Sequence, residues 1–417
     1  MSFSNMIDKE YFAETLYNNA TPYHYVSNAR SKLLANGFTE ISESTPINER
    51  PDKFFLTRDD RCICAVKMGD KKCGVILAAH NDFPCFKAKA GSTYSSGFFQ
   101  VRTAPYGGVC MSTWVDRDLR IAGRAIIKDN NNSNTTNKLF LTTKKVAHMP
   151  SLGIRLAHHN SLAPKFNSES SFNPILCDPI EKIIADELNI EQEQIITTET
   201  FFVSQQKPSY VGPDQSILCS QGLDNLTSSI TTLDAFLSSE SPYVTILVVF
   251  DNEEVGSQTR CGAKSNFLKG ALKRISGEDD DSFPKRCIFI SCDNNHGLHP
   301  NYPELTPPNS IRLGDGPVIS YDPTLSFSSE TKVISLVKDI AKSANIPVNE
   351  YSDKNSSRCG STFGPFVSTA LGIPSIDMGI PVLGMHSIRE TCCFDDVQNF
   401  QKLLIEIVKN FGDYLID

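Results

Sequence analysis

Three segments of this 417-residue chain end an apolar run on side chains that can bind a metal or move a proton. Gly74-Val-Ile-Leu-Ala-Ala79 runs into His80 and Asp82, Tyr243-Val-Thr-Ile-Leu-Val-Val-Phe250 into Asp251-Asn-Glu-Glu254, and Cys287-Ile-Phe-Ile-Ser-Cys292 into Asp293. Carboxylates set directly after an apolar run carry a desolvation cost unless a cation or hydrogen bonds offset it. With Asp224 and His386 added, the donors are carboxylates and imidazoles without a thiolate, which suits a catalytic zinc centre with open positions. Each signal alone is weak: a His at a strand end is more often a hydrogen-bonded structural residue, and a pair such as Glu253-Glu254 is usually a solvated surface. Jointly they weigh more, because the chain has only eight histidines and four of them, His80, His296, His299 and His386, fall in the segments that carry chemistry.

Gly74 to Ala79 is a short continuous apolar run, as in a strand buried on both faces, and Tyr243 to Phe250 is rich in β-branched residues. Helical patterns separate and follow them: Tyr23 to Asn36, Lys332 to Ala344, and Val397 to Leu415 with Phe400, Leu403, Leu404, Ile407 and Phe411 on one face. Strands alternating with helices predict an α/β domain with a mainly parallel sheet, whose ligands bind beyond the carboxyl ends of the strands. The middle of the chain differs. Short alternating runs such as Leu139-Phe-Leu-Thr142 and a polar hairpin-like insert, Lys128 to Thr136, indicate a β-rich domain inserted into the first, with Ile180 to Leu188 as a candidate helix. The expected division is residues 1–88 with 216–417 as one discontinuous catalytic domain, and 89–215 as the insert.

Bulk properties narrow the function. The net charge of -8 argues against nucleic acid, which is bound through clustered Lys and Arg. No apolar run approaches the roughly 18 residues of a membrane-spanning helix. Met1 to Asn19 carries Asp8, Glu10 and Glu14 and lacks the order of a secretory signal. Thirteen scattered cysteines without a CxxC pair read as reduced thiols. A soluble, cytoplasmic protein is expected, and the sequon at Asn225 is read as chance.

The motifs then become specific. His80-Asn-Asp-Phe-Pro-Cys85, Gly222-Leu-Asp-Asn-Leu226, Asp251-Asn-Glu-Glu-Val-Gly-Ser257, Asp293 to Tyr302 and Met385-His-Ser-Ile-Arg-Glu390 resemble, in order, segments of the aspartyl aminopeptidase family. Tyr106-Gly-Gly and Ser112-Thr-Trp-Val-Asp-Arg-Asp-Leu119 resemble that family's inserted, dimerising domain. The resemblance implies a metallo-aminopeptidase with two zinc ions per subunit, one of them open to exchange for another divalent cation. One zinc would be held by His80, Asp224 and Asp293, the other by Asp224, Glu254 and His386, with Asp224 bridging. Asp82 would fix the His80 ring, Glu253 would act as general base on water shared by the metals, and His299 would stabilise the oxyanion. Peptides with a free N-terminus are the implied substrates, with Asp or Glu preferred, and a tetrahedral homododecamer is the implied assembly.

A related two-metal carboxypeptidase or deacylase, and an inactive assembly scaffold, are the rival readings; the full order of motifs and the intact set of ligands and base argue against them. Departures from the family pattern are Asn81, Phe83, Val109, Gly222 and, more consequentially, Arg155 and Ser320. Arg155 stands where the family has a His that approaches the neighbouring subunit's site, with His158 or His159 as substitutes. Ser320 follows Gly316-Pro-Val-Ile319 where acid-preferring members carry a Lys, which weakens the expected preference for acidic residues unless Arg155 or Lys354 supplies the charge.

Overall fold

The computed structural model describes residues 6–46, 49–128, 134–144, 146–156, 166–277, 282–307, 310–356 and 360–413. His158, His159 and Cys359 lie outside them. The chain divides into two compact units: Met1–Asp82 with Ser209–Met385 and Glu390–Asp417, and Phe83–Pro208 with His386–Arg389. The junctions fall earlier than the 88/89 and 215/216 read from the sequence, and pairing explains why. The strand Cys85–Ser95 pairs with Phe98–Tyr106 and Ile195–Ser204, so it belongs to the insert, whereas Ser209–Val211 pairs with Ile217–Ser220 of the first unit.

The first unit is built on a nine-stranded mixed sheet, in the order Thr39–Glu40, Lys53–Arg58, Cys62–Lys67, Tyr243–Phe250, Lys71–His80, Cys287–Cys292, Ser375–Gly379, Val318–Ser320 and Asn349–Tyr351. Its centre, from Tyr243–Phe250 to Ser375–Gly379, is parallel, as the near-continuous Val/Ile/Leu runs predicted. On one face Phe54, Leu56, Val66, Ile76 and Val248 pack with Phe267, Leu268, Ala271 and Leu272 of the helix Phe267–Ser276. Fully burying each such side chain stabilises by about 1.5–3 kcal/mol.

The helix Leu223–Ser238 is buried along most of its length and packs on Lys71–His80 and on the helix Phe394–Asn410. Two of its buried hydroxyls bond within the helix, Thr227 Oγ1 donating to Leu223 O and Thr232 Oγ1 to Ser228 O. Its last carbonyls, on Phe236 and Leu237, and that of Ser239 just beyond receive the buried Lys67 ammonium, a cation placed where the helix dipole favours one. The helix Pro22–Ala35 starts on Thr21, whose hydroxyl accepts the His24 N–H, with Pro22 in its first turn, and Gly37 at φ 81° ends the run. A five-stranded sheet of Ser209–Val211, Ile217–Ser220, Glu390–Cys393, Pro381–Leu383 and Asn295–His296 completes this unit.

The second unit is a seven-stranded antiparallel sheet in which Ile195–Ser204 pairs with both Cys85–Ser95 and Asp118–Lys128, so that the sheet closes on itself. The ring takes in six of these strands and leaves Thr135–Leu141, paired among the described residues with Asp118–Lys128 alone, as an edge. Phe86 stands in its core, 5.1 Å from Trp114 and 5.0 Å from Phe172 between ring centroids. The polar hairpin has paired flanks, Asp118–Lys128 against Thr135–Leu141 with Lys128 opposite Thr135; residues 129–133 between them lie outside the described set. The candidate helix is present as Ile180–Leu188. Every described cysteine is a free thiol, and among the described residues no helix is long and apolar enough to cross a membrane.

Candidate metal centre

Strand register brings the chemistry together. Phe250 pairs with His80, and Ser291 pairs with Ala78, so three neighbouring parallel strands end level with one another. Asp251 to Glu254, His80 to Asp82, and Asp293 therefore leave the sheet along one rim. Asn252 turns the first of these segments at φ 62° into a single 3₁₀ turn, Glu253–Val255, closed by Gly256 at φ 93°. Asp224 arrives from the helix start, where Gly222 takes φ 68°, Asp224 and Asn225 are non-helical, and the peptide between them is cis.

His80 is the hub. Its Nε2 lies 3.5 Å from Asp293 Oδ1 and 3.8 Å from Asp224 Oδ1, and its Nδ1 lies 3.2 Å from Asp82 Oδ1. Ligand atoms of His80, Asp224 and Glu254 all fall within 4.8 Å of one another, a grouping able to hold a metal ion. Asp82 does more than face the imidazole. Its two oxygens accept the backbone N–H groups of Glu253, at 3.0 Å, and Glu254, at 3.1 Å, so one buried carboxylate ties the His80 strand end to the turn bearing both glutamates.

The electrostatics describe a crowd of negative charge out of water. Burial pushes the Asp293 carboxyl up to about 6, with His80 opposing and Asp224 adding to the rise. Burial also pushes Glu253 up to about 8, opposed by His80 and reinforced by Asp293, Asp82 and Asp224. Glu254 is raised well above the ordinary range by burial and by Asp224. For His80 burial alone would depress the pKa, yet Asp293 and Asp82 outweigh it and hold the imidazole well above its usual value. A divalent cation relieves every one of these terms at once. Buried oxygen and imidazole donors at such spacing fit zinc, with carboxylates supplying the charge.

The remaining candidates have other surroundings. His386 belongs to the second unit, where its Nδ1 lies 3.2 Å from Gly108 O, its carbonyl accepts the Cys110 N–H, and its φ is 68°. His299 contacts its own loop: its Nδ1 accepts the Asn301 N–H at 3.2 Å and its ring lies 5.0 Å from that of Tyr302. Ser320 is buried and donates to Asn295 Oδ1 at 2.6 Å. Sequence reasoning missed three supports. Glu390 Oε2 accepts the Asp224 N–H at 3.0 Å, Arg61 Nε pairs with buried Asp251 at 2.5 Å, and Asn294 joins the Asp293 and Asp224 segments. An acid inside the Met385–Glu390 motif and the Asn directly after Asp293 were the available signals.

Comparison with known proteins shows the family. The model of the family described as "Aminopeptidase I zinc metalloprotease (M18)" matches residues 15–407. A probable M18 family aminopeptidase 2 of Clostridium novyi is 34% identical over 405 residues, covering 91% of this chain and 94% of that one. The cryo-EM structure of the Ape4 and Nbr1 complex contains a chain that superposes with a TM-score of 0.93 at 26% identity, covering 97% of this chain and 87% of that one. The S. cerevisiae mApe1 dodecamer superposes with a TM-score of 0.85 at 24% identity, covering 97% of each chain. The chain belongs to the M18 aminopeptidase family of zinc metalloproteases, hydrolases that act on peptides, as the resemblance of its motifs implied.

Proposed function

We propose that this aminopeptidase removes the N-terminal residue of peptides, with His80, Asp224 and Asp293 holding one zinc and Asp224 and Glu254 holding a second, to which the family resemblance adds His386. The observation that carries the reading is the grouping of buried His80 and Asp224 with half-buried Glu254, brought together by two adjacent strand ends and the start of the helix Leu223–Ser238. Zinc, when bound, supplies Lewis acidity, lowering the pKa of water and polarising a carbonyl. Glu253 takes the proton from the attacking water and returns it to the leaving amine. Asp82 keeps that base in place through its backbone N–H and orients the His80 ring. His299 donates to the oxyanion.

The first residue of the substrate is read without a fixed cation from the segment Gly316 to Ser320. The Ser320 hydroxyl is committed to Asn295 and carries no charge. Losing a charged partner costs acidic substrates roughly 2–4 kcal/mol of transition-state binding, so neutral N-terminal residues are cleaved comparably or better. The inserted unit supplies dimer contacts, and copies assemble as a dodecamer in the cytoplasm, by likeness to the family.

The test is kcat/KM on matched peptides beginning with Asp, Glu, Leu and Met, each also with its N-terminus acetylated, after chelation and zinc restoration. Zinc-dependent hydrolysis of the free peptides alone is expected. Cleavage of the acetylated peptides, or release of the C-terminal residue, would contradict the reading, and a strong acidic preference unchanged by Ser320→Lys would contradict the specificity.

A further inference from the structure

Asp224 and Asp293 come from segments about 70 residues apart, and their carboxylates must be held at one spacing. Two asparagines span the gap in opposite directions. From the helix start, the fully buried Asn225 sends Nδ2 to Cys292 O at 2.7 Å, the carbonyl just before Asp293. From the strand end, Asn294 sends Nδ2 to Leu223 O at 2.7 Å, the carbonyl just before Asp224, and to Thr227 Oγ1 at 2.8 Å. The Asn294 backbone N–H meanwhile donates to Asp293 Oδ1 at 2.9 Å. Each asparagine follows one acidic residue in sequence and grips the peptide that precedes the other.

A single hydrogen bond between two loops leaves a hinge; two bonds in opposite directions, one on each side of the carboxylates, remove it. The non-helical conformation of Asp224 and Asn225 matters here, because the helix itself does not fix them. Asp224 N–H reaches Glu390 instead, so neither residue can turn without breaking a buried bond.

We propose that Asn225 and Asn294 form a reciprocal brace that positions the Asp224 and Asp293 carboxylates, and so sets the affinity of the metal centre. They are positioning residues, and the assignment rests on reading those two carboxylates as ligands. Outer partners of metal ligands typically change affinity by about 10- to 100-fold. The brace requires both halves, so the effects of losing them do not multiply.

The experiment measures zinc affinity by competition with a chromophoric chelator, and the visible spectrum of the cobalt-substituted protein, for Asn225→Ala, Asn294→Ala and the double variant. Asp224→Asn is the reference for a lost ligand. Asn19→Ala, a buried asparagine whose Oδ1 accepts the Asn28 amide, is the reference for a lost buried amide. Each single variant is expected to bind zinc about 10- to 100-fold more weakly with an altered cobalt spectrum, and the double variant little more weakly than either. Serine in place of alanine gives the same readout if an alanine variant fails to fold. Affinity and spectrum matching Asn19→Ala, even with a lowered melting temperature, would overturn the brace, as would single effects that multiply. Undiminished zinc affinity in Asp224→Asn would overturn the ligand reading and the brace with it, whereas loss there alone overturns only the brace.

Discussion

One place in each unit sets its carboxylates in an opposite environment. Around His80, buried Asp293 and half-buried Glu253 are held at raised pKa values by lost solvation, with neighbouring acids adding to the rise. In the inserted unit Glu169 stands on the surface, paired with Lys89 at 3.0 Å and with Arg102, and these partners hold its pKa below the ordinary range. A surface pair costs little and returns little, because water already solvates both ions. A buried group of acids persists only where the fold fixes it and a cation is there to compensate.

Breaking the frame of the buried cluster gives the largest expected effect. Asp82→Asn replaces one acceptor by a donor that faces a backbone N–H of Glu253 or Glu254 and weakens the hold on His80. Zinc affinity is expected to fall about 10- to 100-fold. Unchanged affinity by chelator competition would mean that the rim is fixed without it.

A smaller effect is expected away from the rim. Asp396 is fully buried, its oxygens accept the Gly314 and Gly316 N–H groups, and burial outweighs those bonds to push it up to about 6. The folded form therefore binds a proton that the unfolded chain has lost between about pH 4 and 6. Its contribution is full below pH 4 and is lost as pH rises through 6, a change of about 3 kcal/mol. The stability difference between the unaltered protein and Asp396→Asn, from chelated denaturant melts across that range, is expected to shrink with rising pH by that order. A difference independent of pH would show the carboxyl to be adequately solvated.

Glu169→Gln marks the other end of the scale. Its melting temperature and activity are expected to match the unaltered protein, and a clear drop in the melt would show that the surface pairs of the insert carry structural weight.

How far the sequence could be read follows from the same physics. Tyr243–Phe250 and Cys287–Cys292 were legible because a strand buried on both faces has to be a continuous apolar run, and the acids that end each run had to emerge at one rim. The helix Leu223–Ser238 was hidden because Thr227, Ser228, Ser229, Thr231 and Thr232 make it look like a polar loop, although Thr227 and Thr232 donate to carbonyls of the helix itself and Ser229 donates to His80 O. The last helix starts at Phe394, earlier than Val397, and gives way at Phe411 to a 3₁₀ turn. Asn225, read as a chance sequon, is fully buried, so its amide is out of a glycosyl donor's reach in the folded chain. What remained unread in the site, Asn225, Asn294, Glu390 and Arg61, acts on groups distant in sequence, and no spacing rule reports such contacts.

The central claim is that Glu254 belongs with the metal ligands while Glu253, its neighbour on the same 3₁₀ turn, remains free to carry a proton. Metal content and turnover of Glu253→Gln, measured on one preparation, test it most directly. The account predicts zinc bound as in the unaltered protein with kcat reduced by at least about 100-fold. Loss of zinc in parallel with activity would contradict it and make Glu253 a ligand.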